Sequence, residues 1–175
     1  MFVQDFLDEF LRHRLSAEQA ISQVNDEGLN RIVAADGNSI AMLMRHVGGN
    51  LVSRFTDFLA SDGEKPWRHR DDEFEDGPYT RASAQDAWSA GWTVLERELG
   101  ELTDQDLVRR VTIRGESRTV HEALCRSLAH IASHAGQIIL LARIVAPDEW
   151  KWISIPKGQS EQYNRNPTLE KRPAT

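Results

Sequence analysis

The stretch from Thr119 to Val145 constrains the fold of this chain most. It opens with T-x-x-E, Thr119 and Glu122, in which an N-cap hydroxyl and a carboxylate three residues on satisfy each other's free backbone N–H groups. Pro147 closes it, because proline cannot continue a helix. Between these signals Val120, Leu124, Leu128, Ile131, Ala135, Ile138 and Ala142 recur at helical spacing as one broad apolar stripe. Such a stripe has to be covered by other helices.

The rest of the chain supplies those helices. Phe2, Phe6, Phe10 and Leu15 predict a first helix from about Phe2 to Val24, followed by a turn at Gly28 and Asp36-Gly37-Asn38. A second runs from about Ser39 to Ala60 with Asn38 as N-cap, its stripe being Ile40, Met44, Val47, Leu51, Phe55 and Phe58. Trp88, Trp92, Leu95, Leu99 and Leu102 mark a third from about Ser83 to Leu99, and their rhythm is that of core. Residues 61–81 form a long charged loop, which Trp67 and Phe74 should pin down. VRRVTIRGESRT, just before the last long helix, reads as a short hairpin with a type II′ turn at Gly115-Glu116. Trp150, Trp152 and Ile155 should dock on the helices.

The pattern predicts an all-α four-helix bundle with a short β-hairpin before its last long helix. The long second loop can cross the bundle, so up-down-down-up stays open beside up-down-up-down. The domain is expected over residues 1–165, with a polar tail at 166–175.

Composition narrows the function classes. Charged residues make up 27% of the chain and the net charge is −6, with no basic stripe, which speaks against a nucleic-acid partner. No run of 18 apolar residues occurs and the first residues, MFVQDFLDEF, lack a secretory signal pattern. The expectation is therefore a cytoplasmic protein with no membrane partner. The one cysteine, Cys125, is expected as buried filler between Leu124 and Leu128.

The candidate chemistry lies in histidines. His130 and His134, in SLAHIASHAGQIILLAR, stand one helical turn apart on the edge of the apolar stripe. With a third imidazole they would make a three-nitrogen metal site with an open position, the set found in catalytic centres. His46, in AMLMRHVGGNLVSRF, is the third candidate, although periodicity places it off its stripe and so at the surface. His69, in the charged loop, is its rival; His13 and His121 are expected to face water. Gln137 and Asn50, each near a candidate ligand, are expected as supporting residues: Gln137 bonds a bound water or substrate or caps a neighbouring helix, and Asn50 sits behind the ligands. Gly48 and Gly49 in mid-helix imply that something approaches the backbone there, either a large aromatic or a ligand. H-E-x-x-H is absent.

Three stretches together resemble one family: SIAMLMRHVGGNLVSRF, VHEALCRSLAHIASHAGQI and WISIPKGQSEQYN. They look like the DinB-like superfamily, also called YfiT-like metal-dependent hydrolases, and within it a bacterial branch known only as a domain of unknown function. The resemblance covers roughly residues 1–165. It implies a four-helix bundle, often homodimeric, with a metal triad at the positions matched here by His46, His130 and His134. It implies a divalent ion, with zinc, nickel and iron all compatible. It also implies a hydrolase or a transferase that acts on a low-molecular-weight thiol such as bacillithiol, mycothiol or glutathione. The alternative is a non-catalytic dimeric bundle with a vestigial or structural site. DNA binding rests on the family name alone, and the acidic balance opposes it.

Overall fold

The computed structural model describes residues 2–75, 77–146 and 150–169. Its helices are α1 (Phe2–Ile21), α2 (Asp26–Asn30), α3 (Ile40–Phe55), α4 (Arg81–Glu101), α5 (Val120–Val145) and α6 (Ser160–Asn164). Two 3-10 turns cover Asp71–Phe74 and Asp104–Val108, and β1 (Arg110–Ile113) pairs antiparallel with β2 (Glu116–Thr119) immediately before α5. The chain is thus mostly helical with one short hairpin. The predicted Pro147 stop lies outside the described residues.

The four long helices enclose one core, with α3 packed mainly on α4 and α1 mainly on α5. Their directions follow from the contacts at their ends. Asn30, before α3, bonds Tyr79, before α4, in both directions at 2.8 and 2.9 Å, so those two helices start side by side. Phe6 meets His121 at the start of α5, and Gly28 lies against Val145 at its end, so α1 and α5 also run together. The Trp88 indole donates to Glu18 at 2.9 Å while Val3 N–H donates to Asp104 at 3.0 Å, which sets α1 against α4. The order is up-down-down-up, and residues 56–80 make the crossover between the parallel pair.

Local chemistry explains the boundaries. The Thr119–Glu122 box is formed, with the Glu122 N–H donating to Thr119 Oγ1 at 3.1 Å and the Thr119 N–H to Glu122 Oε2 at 2.7 Å. The cap of α3 is Ser39, whose hydroxyl accepts from the Met42 N–H at 3.2 Å, rather than Asn38. Thr80 caps α4 two residues earlier than expected. The hairpin turn is Arg114-Gly115, one residue before the expected Gly115-Glu116. Both residues have positive φ, 55° and 76°, which makes it type I′. The Asp62 carboxylate accepts from the N–H groups of Arg114 and Gly115, each at 2.8 Å, and so ties the crossover to the hairpin.

Two expectations about faces fail. Phe2 and Leu15 are exposed, while Phe10 is buried as expected and α1 also buries Val3, Ala17 and Ile21. Cys125 is exposed, because its apolar sequence neighbour Leu124 points into the core while residue 125 lies about 100° round the helix. Of the loop aromatics, Phe74 packs on His46 but Trp67 stays exposed; in the last segment Trp150 docks on the core and Trp152 does not. By length and composition alone α5 could cross a membrane, yet it packs its stripe on α1 and carries His130 and His134 against α3.

The glycine pair in α3 has two separate causes. A Cβ on Gly48 would stand 2.1 Å from the Ala87 carbonyl oxygen, and one on Gly91 would stand 2.7 Å from Gly48 Cα. Helices α3 and α4 therefore touch backbone to backbone, with neither an aromatic nor a ligand between them. A Cβ on Gly49 would meet Glu73 Oε1 at 2.3 Å. In α5, Gly136 has open space around it. We expect Gly48→Ala to lose about 2 kcal/mol or more of stability by overpacking. Gly136→Ala should gain about 0.5–1 kcal/mol from helix propensity. Urea unfolding of both variants checks the opposite signs.

Candidate metal centre

Three imidazoles meet where α3 faces α5. His46 Nε2 lies 3.2 Å from His130 Nε2, and His134 Nε2 lies 3.1 Å from the same atom. His130 and His134 come together through helical spacing alone. His46 arrives because α3 is buried on nearly every side: Gly48 faces α4, Phe55 meets Phe10 of α1, and His46 itself is only 4% exposed. The surface position expected for His46 is therefore corrected. A stripe argument assumes one buried face, and α3 has several.

Each outer ring is oriented from behind. His46 Nδ1 lies 2.8 Å from Glu73 Oε2. Glu73, on the 3-10 turn, is buried in the space left by Gly49, and Arg68 grips it through two donors at 2.9 Å each. Burial alone would raise the Glu73 pKa, but the hydrogen bonds from His46 and Arg68 hold it below the usual carboxylate value. An ionised carboxylate only accepts, so His46 Nδ1 carries a proton, and in the neutral ring its Nε2 presents a lone pair. His134 Nδ1 lies 3.1 Å from Gln137 Oε1, an acceptor, which fixes the same tautomer. Gln137 thus bonds the ring of His134 on its own helix.

The middle ring cannot satisfy both neighbours. Neutral His130 has one proton, and two lone pairs face its Nε2. If the proton sits on Nε2 it serves one neighbour at a time. If it sits on Nδ1, three lone pairs point at one another, and Nδ1 is itself buried without a partner among the described residues. Gaining a second proton is opposed: burial, then the charges of His134, His46, Arg54 and Arg68, push the His130 pKa down to about 3. Burial and His46 also lower that of His134, against the Gln137 hydrogen bond.

A cation would resolve this conflict. Nitrogen ligands around one tetrahedral zinc at about 2.0–2.1 Å stand about 3.3–3.4 Å from one another. The observed 3.1 and 3.2 Å separations are within a few tenths of that. Among the described residues, these three histidines form a group whose donor atoms all lie within 4.8 Å of one another. The donor set and tautomers fit a divalent ion.

The cluster opens on a cleft of about 770 Å³ lined by Asn50, Phe74, Arg126 and Ser133 among others. Asn50, one turn beyond His46, is buried and lines this space. His69 is exposed in the crossover and stays outside the cluster, as do half-buried His13 and exposed His121, whose nearest sulfur contact is Cys125 at 3.7 Å. Glu73 and Arg68 have no signature in the sequence; the only hint is Gly49, whose missing side chain makes room for the carboxylate.

Two outcomes follow. Glu73→Gln should weaken binding of a divalent ion by about 10–100-fold, as loss of an orienting carboxylate does, measured by competition with a chromophoric chelator. In metal-free protein, histidines with lowered pKa stabilise the fold fully above about pH 6.5, their unfolded value, and that contribution is lost as pH falls. The urea midpoint should therefore drop between pH 7.5 and 5.5, and drop less in His130→Gln.

No curated protein and no solved structure matches the chain significantly. A family model does match, over residues 1–159, and its description is "Protein of unknown function (DUF1572)". The chain belongs to that family.

Proposed function

We propose that this protein is a divalent-metal-dependent enzyme of the DinB/YfiT-like kind, a four-helix bundle acting in the cytoplasm as a transferase or hydrolase on low-molecular-weight thiols. The observation that carries the reading is the convergence of three Nε2 atoms whose proton count leaves them unsatisfied without a cation. His46, His130 and His134 would hold the ion, with zinc, nickel and iron all suited to imidazole. The ion would supply Lewis acidity, lowering the pKa of a water or thiol at its open face.

The chain's own residues do the rest. Glu73 and Gln137 keep two rings in the ligating tautomer. Arg68 neutralises Glu73, so the buried carboxylate does not draw the ion away from the imidazoles. Phe74 packs against the His46 ring at 4.6 Å and shields it from water. The cleft leaves one side of the cluster open to a small molecule. A homodimer fits the same reading: Leu140 and Ile144, on the outer face of α5, are 62% and 55% exposed.

Protein purified without a metal column should carry about one divalent ion per chain, as a three-histidine site requires. Elemental analysis should find that ion lost in His130→Ala and kept in His69→Ala. Transfer or hydrolysis assays with bacillithiol, mycothiol and glutathione should show activity that a chelator removes. Full metal content in His130→Ala would reject the ligand assignment.

A further inference from the structure

The net charge of the chain is −6, yet the wall of the histidine cleft is basic. Arg54, Arg70, Arg114 and Arg126 all line it, and no aspartate or glutamate among the described residues does. Nearby acids only partly offset them. Arg54 and Arg114 share one carboxylate, Glu64, at 3.1 and 2.9 Å. Arg70 has the exposed Asp71 at 3.3 Å, a pairing of little strength in water. Arg126 has no hydrogen bond or ion pair among the described residues. It precedes His130 by four residues and so stands on the same face of α5.

A second observation points the same way. Asn50 is 8% exposed, lines the cleft, and has no hydrogen-bond partner among the described residues. Its amide atoms reach the space of the cleft and can donate to a ligand there. The side chains beside the histidines thus offer donors and positive charge, in the planar fork form that suits a carboxylate.

We propose that the substrate of this centre is a small organic anion whose carboxylate sits on Arg126, reinforced by the surplus charge of the Arg54–Glu64–Arg114 set. Its reacting end then lies at the three Nε2 atoms, with Asn50 donating to it. This rests on the metal-enzyme reading above, and it selects among thiols and their adducts those that carry a carboxylate near the sulfur.

The test compares two isosteric thiols, 3-mercaptopropionate and its neutral amide, titrated into the full chain loaded with Co2+ and followed by visible absorption. The acid should half-saturate at a concentration about tenfold or more below the amide, as a charge-assisted contact warrants. That advantage should shrink as salt is raised. It should also collapse in Arg126→Gln with cobalt content unchanged, and persist in Arg97→Gln, on the exposed side of α4. Equal affinities in the unaltered protein would overturn the anion seat and leave the metal reading standing. A second arm uses metal-free protein and calorimetry with malonate against malonamide. If the chain takes up no cobalt, the metal reading fails and this arm decides alone. Saturable malonate binding that Arg126→Gln abolishes supports the seat, and its absence rejects it.

Discussion

Two imidazole nitrogens, of His46 and His134, stand within 3.2 Å of a third, His130 Nε2, with too few protons to join all three as hydrogen bonds. Much of the surrounding architecture serves that conflict. Glu73 fixes where the proton of His46 lies, and Gln137 does so for His134. Gly49 makes room for Glu73, and Arg68 keeps it ionised in a buried place. Gly48 and Gly91 let α3 press onto α4, which helps bury α3 on several sides and brings His46 to α5. A protein that only needed a core would gain from an apolar residue at position 46, since buried polar groups cost free energy unless paired.

What was legible in the sequence was local. The capping box, the apolar stripe of α5 and the H-x3-H pair depend on residues three or four apart, and all appear where the spacing puts them. The four long helices and the hairpin before the last of them were readable for the same reason, as was the tryptophan core of α4. The chain crossing needed one more fact, the contacts at helix ends, before up-down-down-up could be chosen over its rival.

What was not legible was long-range. The position of His46 misleads because α3 lacks a solvent face for most of its length. Glu73 is one of seven acids between residues 61 and 81, and nothing in its neighbours marks it as the one that turns inward. The exposure of Cys125 and the one-residue shift of the hairpin turn show that apolar neighbours and a glycine are weaker guides than register. The basic wall has no mark in the sequence because its arginines come from α3, the crossover, the hairpin and α5, and gather only in space.

X-ray absorption at the zinc edge of the zinc-loaded protein tests the central claim most directly. The account predicts a first shell of nitrogen and oxygen at about 2.0–2.1 Å, with the outer-shell scattering of three imidazole rings. A sulfur ligand at about 2.3 Å, or the outer-shell pattern of fewer than three rings, would contradict it.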